Sequence, residues 1–162
     1  MPITIHLLGL EQLRSLRAGS TQVDGFRVLP GSLPTMDILD YAIALLKAGH
    51  NPIWYSPSLF IDEEGRHVIG SGNFHSAPEN GHVEVGYEVA PACRGKGVGT
   101  EAVRLLVNLA LAQADVFEVF AQTEVSNIAS RRVLEKVGFR HVGQGHNVDH
   151  GACDQWLYRK EN

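Results

Sequence analysis

The chain has 162 residues, of which 44% are apolar and 20% charged, and a net charge of −4. That length suits one domain able to bury roughly two thirds of its unfolded surface without disulfides or metal. The charge excludes a polycationic footprint for nucleic acid, and no stretch approaches the ~18 apolar residues of a membrane span.

Residues 1–162 are expected to form a single domain, since no repeat, low-complexity tract or long linker interrupts them. In chain order, a strand is expected at Ile3–Leu8 and a helix at Leu10–Arg17. A second helix is expected at Met36–Lys47, where Ile38, Leu39, Ala42, Leu45 and Leu46 recur at helical spacing before Gly49. Strands follow at Ile53–Ile61, His67–His75 and Val83–Val89, the first two joined by a short turn, Asp62–Arg66. Gly99–Gln113 reads as a helix apolar nearly all round, hence deeply packed. After it come a strand at Val116–Thr123, a helix at Asn127–Val137, and strands at Phe139–Gly145 and Ala152–Arg159. Strand–helix–strand succession across Val83–Thr123 calls for a right-handed parallel crossover, while the earlier strands favour antiparallel pairing. The expected fold is therefore a mixed α/β sheet.

The densest chemical signal is Arg94-Gly95-Lys96-Gly97-Val98-Gly99-Thr100, between a strand ending at Val89-Ala90 and an apolar helix. Alternating glycines let backbone approach a ligand closely. A helix start offers free N–H groups and partial positive charge, and Arg94 and Lys96 add to it. A diphosphate is the guest this chemistry suits. The spacing is neither a Rossmann fingerprint, because Thr100 stands where its last glycine belongs, nor a P-loop, because Gly97 follows Lys96.

A second pattern is Asn127-Ile128-Ala129-Ser130-Arg131-Arg132-Val133-Leu134-Glu135-Lys136-Val137-Gly138-Phe139. Ser126 or Asn127 is placed to cap this helix, Gly138 to stop it, and Phe139 to fold back on it. Asn127, Ser130 and Leu134 share one stripe.

Together the two segments resemble motifs A and B of the GNAT superfamily of N-acetyltransferases, closest to the branch holding ribosomal-protein alanine acetyltransferases. The resemblance covers Val83–Phe139 well and the first 80 residues loosely. It implies a mostly antiparallel sheet with a splayed central parallel pair, acetyl-coenzyme A as co-substrate, and direct transfer to a primary amine. That amine belongs to a small molecule or a peptide amino terminus. It also implies that Val89, Ala90, Arg94, Gly95, Lys96, Gly97, Val98, Gly99 and Thr100 hold the cofactor. Asn127 either contacts the pantetheine arm or only caps its helix. Many members carry a tyrosine acid seven residues after that Asn; here the position is Leu134, and Ser130 is the nearest hydroxyl on the stripe. It either acts as that acid or bonds within its helix. For the base, Glu84 leads, directly or through water, with Glu88 on the same strand face as substitute. A backbone N–H near Val89 is the expected oxyanion donor.

Other residues read blandly. Cys93 and Cys153 stand in no metal-ligand spacing and read as reduced thiols of a cytoplasmic protein. His146, His150, Cys153 and Asp154 match no zinc signature, so no metal is expected. Trp54, Tyr55, Phe60 and Phe74 line either an acceptor pocket or the core. No nucleic acid or membrane partner is expected, and a homodimer is the commonest assembly for such a chain. The competing readings are a non-catalytic acyl-coenzyme A-binding module and an unrelated nucleotide-binding domain.

Overall fold

The computed structural model describes residues 2–148 and 151–161. Strand β1 (Ile3–Leu7) leads into helix α1 (Leu10–Arg17), where Gln12 Oε1 accepts from the Gly9 N–H at 2.9 Å. Thr35 Oγ1 starts α2 (Met36–Lys47) by accepting from the Ile38 N–H. Both helices begin and end where the periodicity places them. The strand expected at Ile53–Ile61 does not form over its first half. Asn51 Oδ1 accepts from the Ile53 N–H at 3.1 Å and Pro52 sits at a helix start, so a single turn, α3 (Pro52–Tyr55), forms instead.

The strands are β2 (Gln22–Val23), β3 (Phe26–Val28), β4 (Ser58–Asp62), β5 (His67–Phe74), β6 (His82–Val89), β7 (Glu118–Glu124), β8 (Arg140–Asn147) and β9 (Gly151–Arg159). Sequence reasoning missed the β2–β3 hairpin, whose signal is the Asp24-Gly25 turn with φ of +50° and +85°. The sheet runs β1-β4-β5-β6-β7-β9-β8, with β3 joining β5 in a second, unforeseen parallel pairing. The remaining pairs are antiparallel except β6 with β7.

Alternation along β4 sends its side chains into two cores. Leu59 and Ile61 pack with Leu13 and Leu16 of α1 and Leu39 and Ala42 of α2. Phe60 turns the other way, into a larger core with Ala102, Val103 and Leu106 of α4 (Val98–Leu111). The deep packing expected of α4 is therefore present, on one broad face. Helix α5 (Ile128–Val137) ends as its sequence dictates: Gly138 adopts φ +115°, and the Phe139 N–H reaches back to Leu134 O at 2.9 Å. No helix among the described residues is long and apolar enough to cross a membrane.

Asp154 is buried on β9, where His141 Nε2 meets its Oδ1 at 2.8 Å and Arg131 Nε lies 3.7 Å from Oδ2. The His141 hydrogen bond, helped by the Arg131 charge, holds this carboxyl below its ordinary range against the opposing effect of burial. A depressed folded value means the contribution is complete above the unfolded carboxylate's pKa of about 3.9 and is lost as pH falls through the lower folded value. Replacing Asp154 with Asn is expected to lower stability near neutrality and to flatten the decline below about pH 4. Urea midpoints of both proteins across that range measure it, and parallel curves would rule it out. Cys153 Sγ donates to Gln122 Oε1 at 3.1 Å, and both cysteines are free thiols. His150 lies outside the described residues, and among those described no three His, Cys, Asp or Glu side chains converge as a metal site.

Candidate active site

The site begins where β6 and β7 part. Their parallel register covers only His82–Glu84 against Glu118–Phe120. Beyond it β6 stays with β5 as far as Val89, while β7 stays with β9 as far as Glu124. The expected splay is therefore present. On β6, the Glu84 C=O accepts from His75 and the Ala90 N–H donates to Ile69, so these even positions face β5. By strand parity the N–H and C=O groups of Val85, Tyr87 and Val89 point into the opening.

At the far end of β6 the chain turns through Pro91–Cys93 into the glycine-rich loop. Gly95 and Gly97 adopt φ of +78° and +77°, and a Cβ on either would meet nothing within 4 Å. Both therefore serve backbone conformation and leave their outer sides open. Gly99 differs: a Cβ there would come 3.2 Å from Val133 Cγ2 of α5, so its absence lets the two helices approach. Gly97 is the residue before α4, and no side chain caps the helix. The first backbone bond runs from Glu101 N–H to Gly97 O at 3.2 Å, which leaves the Val98, Gly99 and Thr100 amides ahead of the ladder. Lys96 is exposed, Thr100 half-buried, and Val98 is buried in the core as an anchor. An amide cluster ahead of the helix ladder, with adjacent positive charge and no obstructing Cβ, fits a diphosphate.

Other expected site residues are placed as follows. The Ala90 N–H is spent on Ile69 O and its C=O accepts from the Cys93 N–H, so Ala90 has no spare donor for a ligand. Arg94 Nε donates to Val89 O at 3.1 Å and its Nη2 meets Glu88 Oε1 at 3.0 Å, which ties the loop to β6. Glu88 is thereby engaged away from base duty. Glu84 is half-buried, with Oε2 2.8 Å from His75 Nδ1. Asn127 is the cap of α5, its Oδ1 accepting from the Ser130 N–H at 3.1 Å. Cys93 is a small buried residue of the core, which Trp54, Phe60 and Phe74 share. Leu134 is wholly buried.

Ser130 does not stand alone. Its Oγ lies 2.5 Å from the Tyr87 hydroxyl, which crosses from β6 to α5. Burial pushes the Tyr87 hydroxyl upward, the nearby Glu88 charge adds to this, and the Ser130 hydrogen bond partly offsets it. The pair therefore stays protonated through neutral pH. Sequence reasoning passed over Tyr87 because its parity with Val83, Val85 and Val89 reads as core. Beside His75, the partner of Glu84, a cleft of about 380 Å³ is lined by Asp37, Ile38 and Tyr41 of α2, by Tyr55 and Pro57, by Asn73 and Phe74 of β5, and by His75 just after it. Of the four aromatics named from sequence, Tyr55 and the edge of Phe74 reach it.

A family model described as an acetyltransferase (GNAT) domain matches residues 24–140. An uncharacterized N-acetyltransferase, YjdG of Bacillus subtilis strain 168, is 28% identical over 113 residues, 67% of each chain. Further curated relatives are matched over 33%, 47% and 43% of their length. The structure of AAC(6')-Ib in complex with ribostamycin and coenzyme A superposes with a TM-score of 0.70 at 20% identity, covering 99% of this chain and 94% of that one. The ribosomal-protein-S5-alanine acetyltransferase from Vibrio fischeri also gives 0.70, at 13% identity, over 99% of this chain and 94% of that one. A match over well more than half the chain, on a splayed sheet with an amide-lined turn at its open end, means that the chain belongs to the GNAT acetyltransferase domain family and is an acyl-coenzyme A-dependent N-acetyltransferase.

Proposed function

We propose that this chain transfers acetyl from acetyl-coenzyme A to a primary amine that enters the cleft between α2, α3 and β5. The observation that carries this is the opened β6–β7 ladder, with loop amides at one end and Glu84 at the other. The diphosphate rests on the amides of residues 98–100, and the pantetheine arm lies along β6, bonded to the outward groups of Tyr87 and to the Val89 N–H. The amine nitrogen attacks the thioester carbon while losing a proton on the Glu84 side. An outward N–H of β6 meets the developing oxyanion. Cleavage of the C–S bond gives a thiolate, which takes its proton from the Tyr87–Ser130 pair.

The cleft's modest volume, the Asp37 carboxylate that lines it and the Glu84 carboxylate paired with His75 suit a compact cationic amine, or the amino terminus of a peptide. Neighbours bound to ribostamycin or named for a ribosomal-protein alanine support an amine acceptor. Thiol release from acetyl-coenzyme A, screened against small amines and short peptides with free amino termini, tests the reading. Acceleration by at least one acceptor is expected. Coenzyme A binding without acceleration by any of them would point to the non-catalytic module instead.

Because a thiol leaves readily near neutral pH, its acid is helpful rather than obligatory. Tyr87→Phe is accordingly expected to lower kcat by about 10-fold, below the roughly 100- to 10,000-fold that general acid–base catalysis usually supplies. Acceptor KM should hardly move, and Ser130→Ala should behave alike. A change confined to KM in steady-state assays would assign the pair to binding.

A further inference from the structure

Resting on that acetyl-transfer reading, the geometry points to His75, oriented by Glu84, as the group that takes the proton from the attacking amine. His75 directly follows β5, opposite Glu84, and its backbone N–H bonds the Glu84 C=O at 3.0 Å. The side chains meet again, Nδ1 to Oε2 at 2.8 Å. One ring nitrogen is thus committed to a carboxylate, which fixes the ring and its tautomer. The other nitrogen is aimed by the next residue on the same strand face. A Cβ built on Gly86 would stand 3.1 Å from His75 Nε2, so the ring lies over Gly86 in the space a side chain would fill. Gly86 is beyond the last β6–β7 pair, beside the opening. His75 also lines the acceptor cleft and is half exposed, so Nε2 is reachable by an entering amine. The other charged and titratable groups of that cleft are Asp37 and Tyr41 from α2 and Tyr55 from α3.

A carboxylate alone is a poorly matched base for an ammonium ion, whereas an imidazole is the side chain best matched to accept a proton near neutral pH. The step balances simply. The amine's lone pair forms the C–N bond, its N–H electrons remain on nitrogen, and the proton passes to Nε2. The resulting imidazolium is stabilised by Glu84 through Nδ1–H and releases the proton to water. Glu84 is then a positioning residue, and His75 the one that touches the acceptor.

Two measurements test this. In nitrogen-15 spectra of the wild-type imidazoles at about pH 8, His75 is expected to carry its proton on Nδ1 with Nε2 bare, and Glu84→Gln should erase that preference. A ring protonated on Nε2, or on both nitrogens, would overturn the assignment, whether or not an acceptor amine is known. In turnover, His75→Ala is expected to lose about 100-fold or more in kcat. Coenzyme A affinity by calorimetry should be unchanged, which also reports an intact fold. Added imidazoles should restore the rate, more so the more basic they are. An unimpaired kcat, a defect in acceptor KM alone, or the absence of rescue would each overturn it. If wild-type protein releases no thiol with any amine, the acetyl-transfer reading fails separately, and the spectra still report on His75.

Discussion

Gly97→Val is expected to weaken coenzyme A binding by about 100-fold or more while lowering Tm by only a few degrees. Gly97 holds φ +77° immediately before α4. A residue with a Cβ pays about 1–2 kcal/mol for that conformation, and a β-branched one more. The loop relieves this strain by turning, and the amides that follow turn with it. Each charge-assisted hydrogen bond to phosphate is worth about 1.5–3 kcal/mol, so losing two gives the expected drop in affinity. Stability suffers little because a Cβ at Gly97 meets no atom within 4 Å. Gly99→Val is the opposite case: its Cβ presses on Val133 of α5, so the damage should appear in Tm as well. Calorimetric titration with coenzyme A, beside thermal melts, separates the two. An unchanged Kd for Gly97→Val would mean that this turn does not hold the diphosphate.

Glu84→Gln should reduce kcat by about 100-fold or more with coenzyme A affinity retained. Glutamine preserves the shape and leaves the opposing strand undisturbed, but it cannot hold a positive charge on the neighbouring His75. The loss therefore belongs to the transition state and should appear equally in kcat and kcat/KM. Glu88→Gln is the comparison. Glu88 is exposed and bonded to Arg94, and exposed ion pairs are worth about 0–1 kcal/mol. Its effect should stay below about 10-fold and fall mainly on coenzyme A affinity through the loosened loop. Similar kinetic losses for both variants would remove the distinction drawn between the two carboxylates.

The contrast between Gly97 and His75 shows what a single sequence reveals. Gly97, Asn127 and Gly138 act on backbone within a few residues of themselves, so their capping and turn roles can be read directly from spacing. The periodicity of Met36–Lys47 is equally local, and that helix ends where expected. Contacts across strands are different. His75–Glu84 and Tyr87–Ser130 depend on the register of β5 against β6 and on the distance of α5 from β6, neither of which any local pattern states. Parity did place Glu84, Gly86 and Glu88 on one face, but it could not say which carboxylate Arg94 would engage. The error at Ile53 has another cause. Apolar and aromatic residues there suited a strand, yet Asn51 and Pro52 supplied a helix start, and one turn sufficed to bury Trp54. The β2–β3 hairpin was legible in Asp24-Gly25 and was overlooked because its strands are so short.

Three residue pairs are all that bind β6 to β7. An exposed strand edge ordinarily invites a foreign chain and aggregation. Here that hazard lies within one sheet, between β6 and β7, with α4 packed against both strands, and under the proposed function the slender pantetheine arm fills it. Such a ligand acts as a temporary extra strand and stitches the two half-sheets together while it is bound. In the proposed function the incomplete sheet thus serves as a slot for a flexible arm bearing amides of its own.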